Sequence, residues 1–156
     1  MRLPSFIVAL VIAIVGTLCP QGAGTERGSE QSLENLRVHA RGSSGGERAR
    51  LYMELAQREV ELGNKQFDSG EAEQARQSVQ QATEDAQAAA DAATSSGGRL
   101  KNTEMEMHKL ARRLNDIEHA LSVEDRPAVK AAGDKLHDLD RALLERMFHH
   151  KEHKEK

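Results

Sequence analysis

The sequence predicts an all-α protein, two helical hairpins packed as a small four-helix bundle or a short solenoid. Three observations carry this. From Glu47 to Phe148 the chain is filled with Ala, Leu, Glu, Gln, Arg and Lys, the strong helix formers, and holds a single proline, Pro127. Apolar residues in that stretch recur at steps of three and four, the spacing of one helix face. Clusters of serine and glycine divide it into four pieces.

The chain opens differently. Met1, Arg2 and Leu3 precede an apolar run from Phe6 to Leu18, which is short of the roughly 20 residues a membrane-spanning helix needs. This is the pattern of a cleaved signal peptide over 1–24, with the small residues Gly22, Ala23 and Gly24 before the cut. The protein is therefore expected to be exported, periplasmic or secreted, with no stable membrane insertion after cleavage. Two lesser alternatives keep it at the membrane: an uncleaved leader, or a lipid on Cys19, which has Leu18 before it and Pro20 after it. Residues 25–46 contain Gly28, Gly42, Gly45 and Gly46 with Ser29, Ser32, Ser43 and Ser44, interrupted by a short apolar pattern at Leu33, Leu36 and Val38, and read as a flexible linker with room for one weak helical turn or two.

The helical domain spans 47–148. A first helix over 47–68 carries Leu51, Tyr52, Leu55, Val60, Leu62 and Phe67 and stops at Ser69 and Gly70. A second, over 71–94, has the apolar series Ala72, Ala75, Val79, Ala82, Ala86, Ala89 and Ala93 and stops at Ser95 to Gly98. Such an alanine seam lets two helix axes approach closely while each side chain buries little area. The first helix is expected to supply the bulk that the second lacks. The third helix, over 99–121, repeats the spacing with Leu100, Thr103, Met107, Leu110, Leu114, Ile117 and Leu121. The fourth begins between Ser122 and Pro127, a proline tolerated in a first helical turn, and continues through Val129, Ala132, Leu136, Leu139, Leu143 and Met147 to Phe148. The last residues, 149–156, form a disordered tail rich in His, Lys and Glu.

One stretch carries a family resemblance. Leu62, Gly63 and Asn64, then Phe67, Gly70, Ala75, Val79 and Ala82, fall at the spacing of a tetratricopeptide (TPR) motif, and the segment 62–82 resembles one such two-helix unit. Glu59 stands at the motif's early aromatic position and Gln87 at its closing proline, and no second repeat follows. The resemblance implies a protein-binding hairpin. The chain as a whole is also similar to secreted all-helical bacterial proteins, which brings no activity with it.

Composition narrows the function classes. The net charge is −3, there is no Trp, and the aromatic residues are Tyr52 and three Phe. Neither the basic footprint nor the stacking platform of a nucleic-acid binder is present. With Cys19 in the leader, the exported chain has no cysteine nucleophile and no disulfide. It has no phosphate-cradling glycine loop ahead of a Lys-Ser or Lys-Thr pair. No acid or histidine stands on an apolar seam where burial would shift its pKa. The protein is expected not to be an enzyme and to need no cofactor.

Two histidine patterns remain. Asp116-x-x-His119 and Asp134-x-x-His137 repeat the spacing of di-metal helical bundles, but the seams place all four residues toward water. His149, His150 and His153 crowd the tail and are the candidate metal ligands. His108, with Glu104 one turn before it, reads as a surface ion partner. The expected function is a non-enzymatic exported scaffold or adaptor that binds a protein partner or self-associates, most simply through the Ala72 to Ala93 seam. The alternative is an envelope metal-binding protein that uses the histidine tail.

Overall fold

The computed structural model describes the backbone of residues 23–152 and the side chains of 32–149. The leader, apart from its last two residues, lies outside the described residues, as does the end of the tail. Five helices follow one another: α1 (Ala23–Gly42), α2 (Gly45–Asp68), α3 (Ala72–Ser96), α4 (Leu100–Ala120) and α5 (Arg126–Glu152). Among the described residues there is no strand. The fold is all-α, as the sequence predicts.

Helices α2 and α3 form one hairpin and α4 and α5 another. Each break has a local cause. Gly70 adopts φ +79° between α2 and α3, and Gly97 adopts φ +65° at the C-terminus of α3, a left-handed conformation that costs glycine little. At the start of α5 the Ser122 hydroxyl bonds to the Asp125 carboxylate, and the backbone N–H groups of Asp125 and Arg126 donate to the Ser122 carbonyl.

The two hairpins share one core. It runs from Ala49, Met53, Ala56 and Val60 of α2, through the α3 seam, to Met107, Leu110, Leu114 and Ile117 of α4 and Val129, Leu136, Leu139 and Leu143 of α5. Every seam position from Ala75 to Ala93, from Thr103 to Ile117 and from Val129 to Leu143 is buried. The four helices α2 to α5 thus share one core, as a small helical bundle or short solenoid does. This also means that the Ala72 to Ala93 seam is consumed within the chain and is not a surface for self-association.

The segment expected to be a flexible linker is instead mostly helix. Leu33, Leu36 and Ala40 stand at steps of three and four, and α1 uses them to pack against the outer face of α2. Burial of those side chains outweighs the glycine and serine content, and only Ser43 and Ser44 interrupt the helix. The bulk of α2 is divided accordingly. Leu51, Leu55 and Leu62 face α1, while Ala49, Met53, Ala56 and Val60 face the main core. The alanine seam therefore meets smaller partners than expected. At its tightest point Gly63 of α2 crosses α3, where a Cβ would stand 3.2 Å from both the Ala75 carbonyl oxygen and Val79 Cγ2.

Candidate functional site

Beside the alanine seam, α3 carries a second stripe at the same spacing: Gln74, Ser78, Gln81 and Asp85. Helix α2 has a matching one in Leu55, Glu59, Leu62 and Gln66. Of these, Gln74, Ser78 and Gln81 of α3 and Glu59, Leu62 and Gln66 of α2 line a cleft of about 430 Å³ whose third wall is α1, with Leu33, Glu34 and Arg37.

Arg37 closes one end of the cleft. Its Nη2 donates to Glu59 Oε1 at 2.9 Å and to Asp85 Oδ2 at 3.1 Å, so one guanidinium ties α1 to both α2 and α3. The side chains of Glu59 and Asp85 are 8 % and 5 % exposed, and that of Arg37 is 15 % exposed, which places the ions mostly out of water. Burial pushes the Asp85 carboxyl above its ordinary value, although its hydrogen bonds to Arg37 and Gln81 pull the other way. Burial alone would lower the Arg37 guanidinium, but its hydrogen bonds to Glu59 and Asp85 raise it above its ordinary value. The Arg37 Nε is buried without a hydrogen-bond acceptor among the described residues. At the other end of the cleft Ser78 Oγ donates to Gln66 Oε1 at 2.8 Å, pinning α2 to α3.

The lining offers amide and hydroxyl groups that both donate and accept, with Gln74 and Gln77 exposed at the rim. Such groups match the alternating N–H and C=O of a polypeptide.

The expectation that no acid is buried on an apolar face is corrected here. Glu59, Asp85 and Asp140 are all buried. Asp85 and Glu59 flank the seams on the side that α1 covers, so their burial follows from a helix that the sequence reading left as a linker. Asp140 lies between α4 and α5, where His108 Nδ1 donates to its Oδ2 at 3.2 Å. The partner of His108 is thus across the hairpin rather than one turn earlier. The signal that pointed to the cleft was legible in principle: a polar series at steps of four, three and four running parallel to the alanine series.

The residues of the TPR-like segment fall as follows. Gly63, Ala75, Val79 and Ala82 are buried at the α2–α3 crossing, and Phe67 packs on the edge of the main core. Leu62 packs toward α1 and lines the cleft. Asn64 is half-buried, and Gly70 forms the turn. Asp116, His119, Asp134 and His137 are exposed, as their seam positions predict. Of the tail histidines, His149 is exposed near the end of α5, while the side chain of His150 and all of His153 lie outside the described residues. Among the described residues no three His, Cys, Asp or Glu side chains are grouped to hold a metal ion.

Compared with family models, with curated proteins and with solved structures, the chain gives no match.

Proposed function

We propose that this chain is a non-enzymatic, exported helical adaptor that binds a polypeptide partner in the cleft between α1, α2 and α3. The observation that carries the reading is the polar stripe of α3 facing the cleft, which presents Gln74, Ser78 and Gln81 beside the Arg37 cluster. Side-chain amides at helical spacing hydrogen-bond an extended backbone without demanding particular side chains, a mode suited to an adaptor. The TPR-like spacing of Leu62 to Ala82 points the same way, since that unit serves protein binding. Export rests on the leader pattern of 1–24. Among the described residues no helix is long and apolar enough to cross a membrane, which agrees with a body released after cleavage.

The test is capture from an envelope fraction with the wild-type chain beside a Gln74→Ala, Gln77→Ala double variant, followed by affinity measurement on the purified partner. Both glutamines are exposed, so the melting temperature is expected to stay within about 2 °C of wild type, as for surface substitutions in general. A partner whose affinity falls tenfold or more on the double substitution supports the reading. Capture indifferent to both glutamines refutes the cleft as the binding surface. Intact mass of the recovered chain reports in the same sample whether 1–24 has been removed.

A further inference from the structure

Helix α1 stands apart from the rest of the fold. Its backbone packs against α2 alone, and its apolar contacts form a separate small cluster of Leu33, Leu36 and Ala40 with Leu51, Tyr52, Leu55 and Leu62. The four-helix core of α2 to α5 is complete without it. Yet α1 supplies one wall of the cleft and a guanidinium, that of Arg37, that joins Glu59 to Asp85.

The connection to α2 is built as a hinge. Two non-helical residues, Ser43 and Ser44, are flanked by Gly42, Gly45 and Gly46, and Gly45 holds φ +58°. Ser44 makes no side-chain cap to α2. The fold-back is held by Arg48, whose Nε donates to the Ser43 carbonyl at 2.6 Å and whose Nη2 donates to the Arg41 carbonyl at 3.0 Å. A short link between two elements that otherwise pack as separate clusters is the setting in which an element exchanges between copies.

We propose that α1 exchanges between two copies of this chain, so that in the dimer each cleft is completed by Leu33, Glu34 and Arg37 of the other copy. Every α1 contact is kept in the exchanged form, including the Arg37 bridge, so monomer and dimer differ only in the hinge and in the cost of association. A short link holds α1 at an effective concentration of roughly millimolar, which sets where the dimer begins to compete. The surface that α1 covers is therefore also an interface for a second copy, whatever the cleft binds.

The decisive variant carries Gly42→Ala, Ser43→Ala, Ser44→Ala and Gly45→Ala. Alanine favours a continuous α1–α2 helix and disfavours the left-handed residue, so α1 can no longer fold back on its own body. The exported chain carrying these changes is expected to be a dimer at micromolar concentration by light scattering, with a dissociation constant that rises at least tenfold when Arg37→Ala is added. A monomer at that concentration overturns the proposal, as does a dimer indifferent to Arg37. Should the hinge variant fail to fold, the wild-type chain decides. Isotopically light and heavy preparations mixed near 1 mM are expected to give mixed dimers by native mass spectrometry. Wild type that stays monomeric at that concentration rejects exchange.

Discussion

In the α2–α3 hairpin one helix buries a stripe of alanines, whereas in the α4–α5 hairpin both helices bury leucine, isoleucine, methionine or valine. The topology is the same and the chemistry of the contact is not. Small side chains let α2 and α3 come close enough for Gly63 to sit within van der Waals reach of Ala75 and Val79. Area per residue is lost and closeness gained. The α4–α5 hairpin packs larger side chains and gains more apolar area from each, at about 25 cal/mol per Å². Each hairpin also buries carboxylates, Glu59 and Asp85 in one and Asp140 in the other, and here too they differ. Asp140 is met from within its own hairpin by His108, while Asp85 is met from outside by Arg37 of α1. The carboxylates of the alanine hairpin are met by a third helix, and that of the leucine hairpin is not.

This contrast can be broken most strongly in the leucine hairpin. Leu136 is fully buried in α5, and Leu136→Ala is expected to lower the free energy of unfolding by about 3 kcal/mol, through lost transfer energy and the cavity left behind. Urea denaturation measures it, and a loss below about 1 kcal/mol would mean that the hairpin collapses around the gap. In the alanine hairpin the vulnerable direction is reversed. Ala86→Leu adds volume at a fully buried position of the seam and is expected to cost about 2 kcal/mol by overpacking. A neutral result would show that the α2–α3 contact is looser than its alanine content implies.

Smaller effects separate the buried carboxylates Asp140 and Asp85. The Oδ1 of Asp140 is buried without a hydrogen-bond partner, so His108→Ala removes the bond that its Oδ2 receives and is expected to cost about 1 kcal/mol, read as a shift of the urea midpoint. Asp85 is expected to behave differently. Its carboxyl is raised by burial, so the folded state holds the proton more tightly than the unfolded chain does. Its contribution to stability is therefore fullest at low pH and declines as pH rises from about 4, the ordinary carboxyl value, through the raised one. Asp85→Asn keeps an oxygen for Arg37 and removes the charge. The variant is expected to lose that part of the decline and to change stability at pH 7 by less than about 1 kcal/mol. Unfolding of both chains between pH 4 and pH 8 tests the sign, and a variant whose pH profile superimposes on wild type would contradict it.

The four helices of the core were legible because their signal is local. Steps of three and four in Val79, Ala82 and Ala86, or in Leu110, Leu114 and Ile117, mark a buried face wherever the partner comes from. Serine and glycine mark the ends for an equally local reason, the backbone conformations they permit. Helix α1 was not legible as a helix, since Gly28, Ser29 and Ser32 pull toward disorder and the counterweight is Leu33, Leu36 and Ala40 meeting a surface elsewhere in the chain. The cleft was missed with it. Glu59 and Gln81 look solvated when only one partner helix is assigned to each seam.

What the sequence determined alone is the all-α class, the four core helices with their buried faces, and the turns at Gly70 and Gly97. Tertiary structure decided that α2 is covered on two sides, that the alanine seam is spent inside the chain, and that Arg37 meets Glu59 and Asp85 across three helices. The reason is range. Helical periodicity is written into residues three or four apart, whereas burial of a charge depends on which distant segment comes to lie over it, and for Asp85 that segment is 48 residues away in the chain.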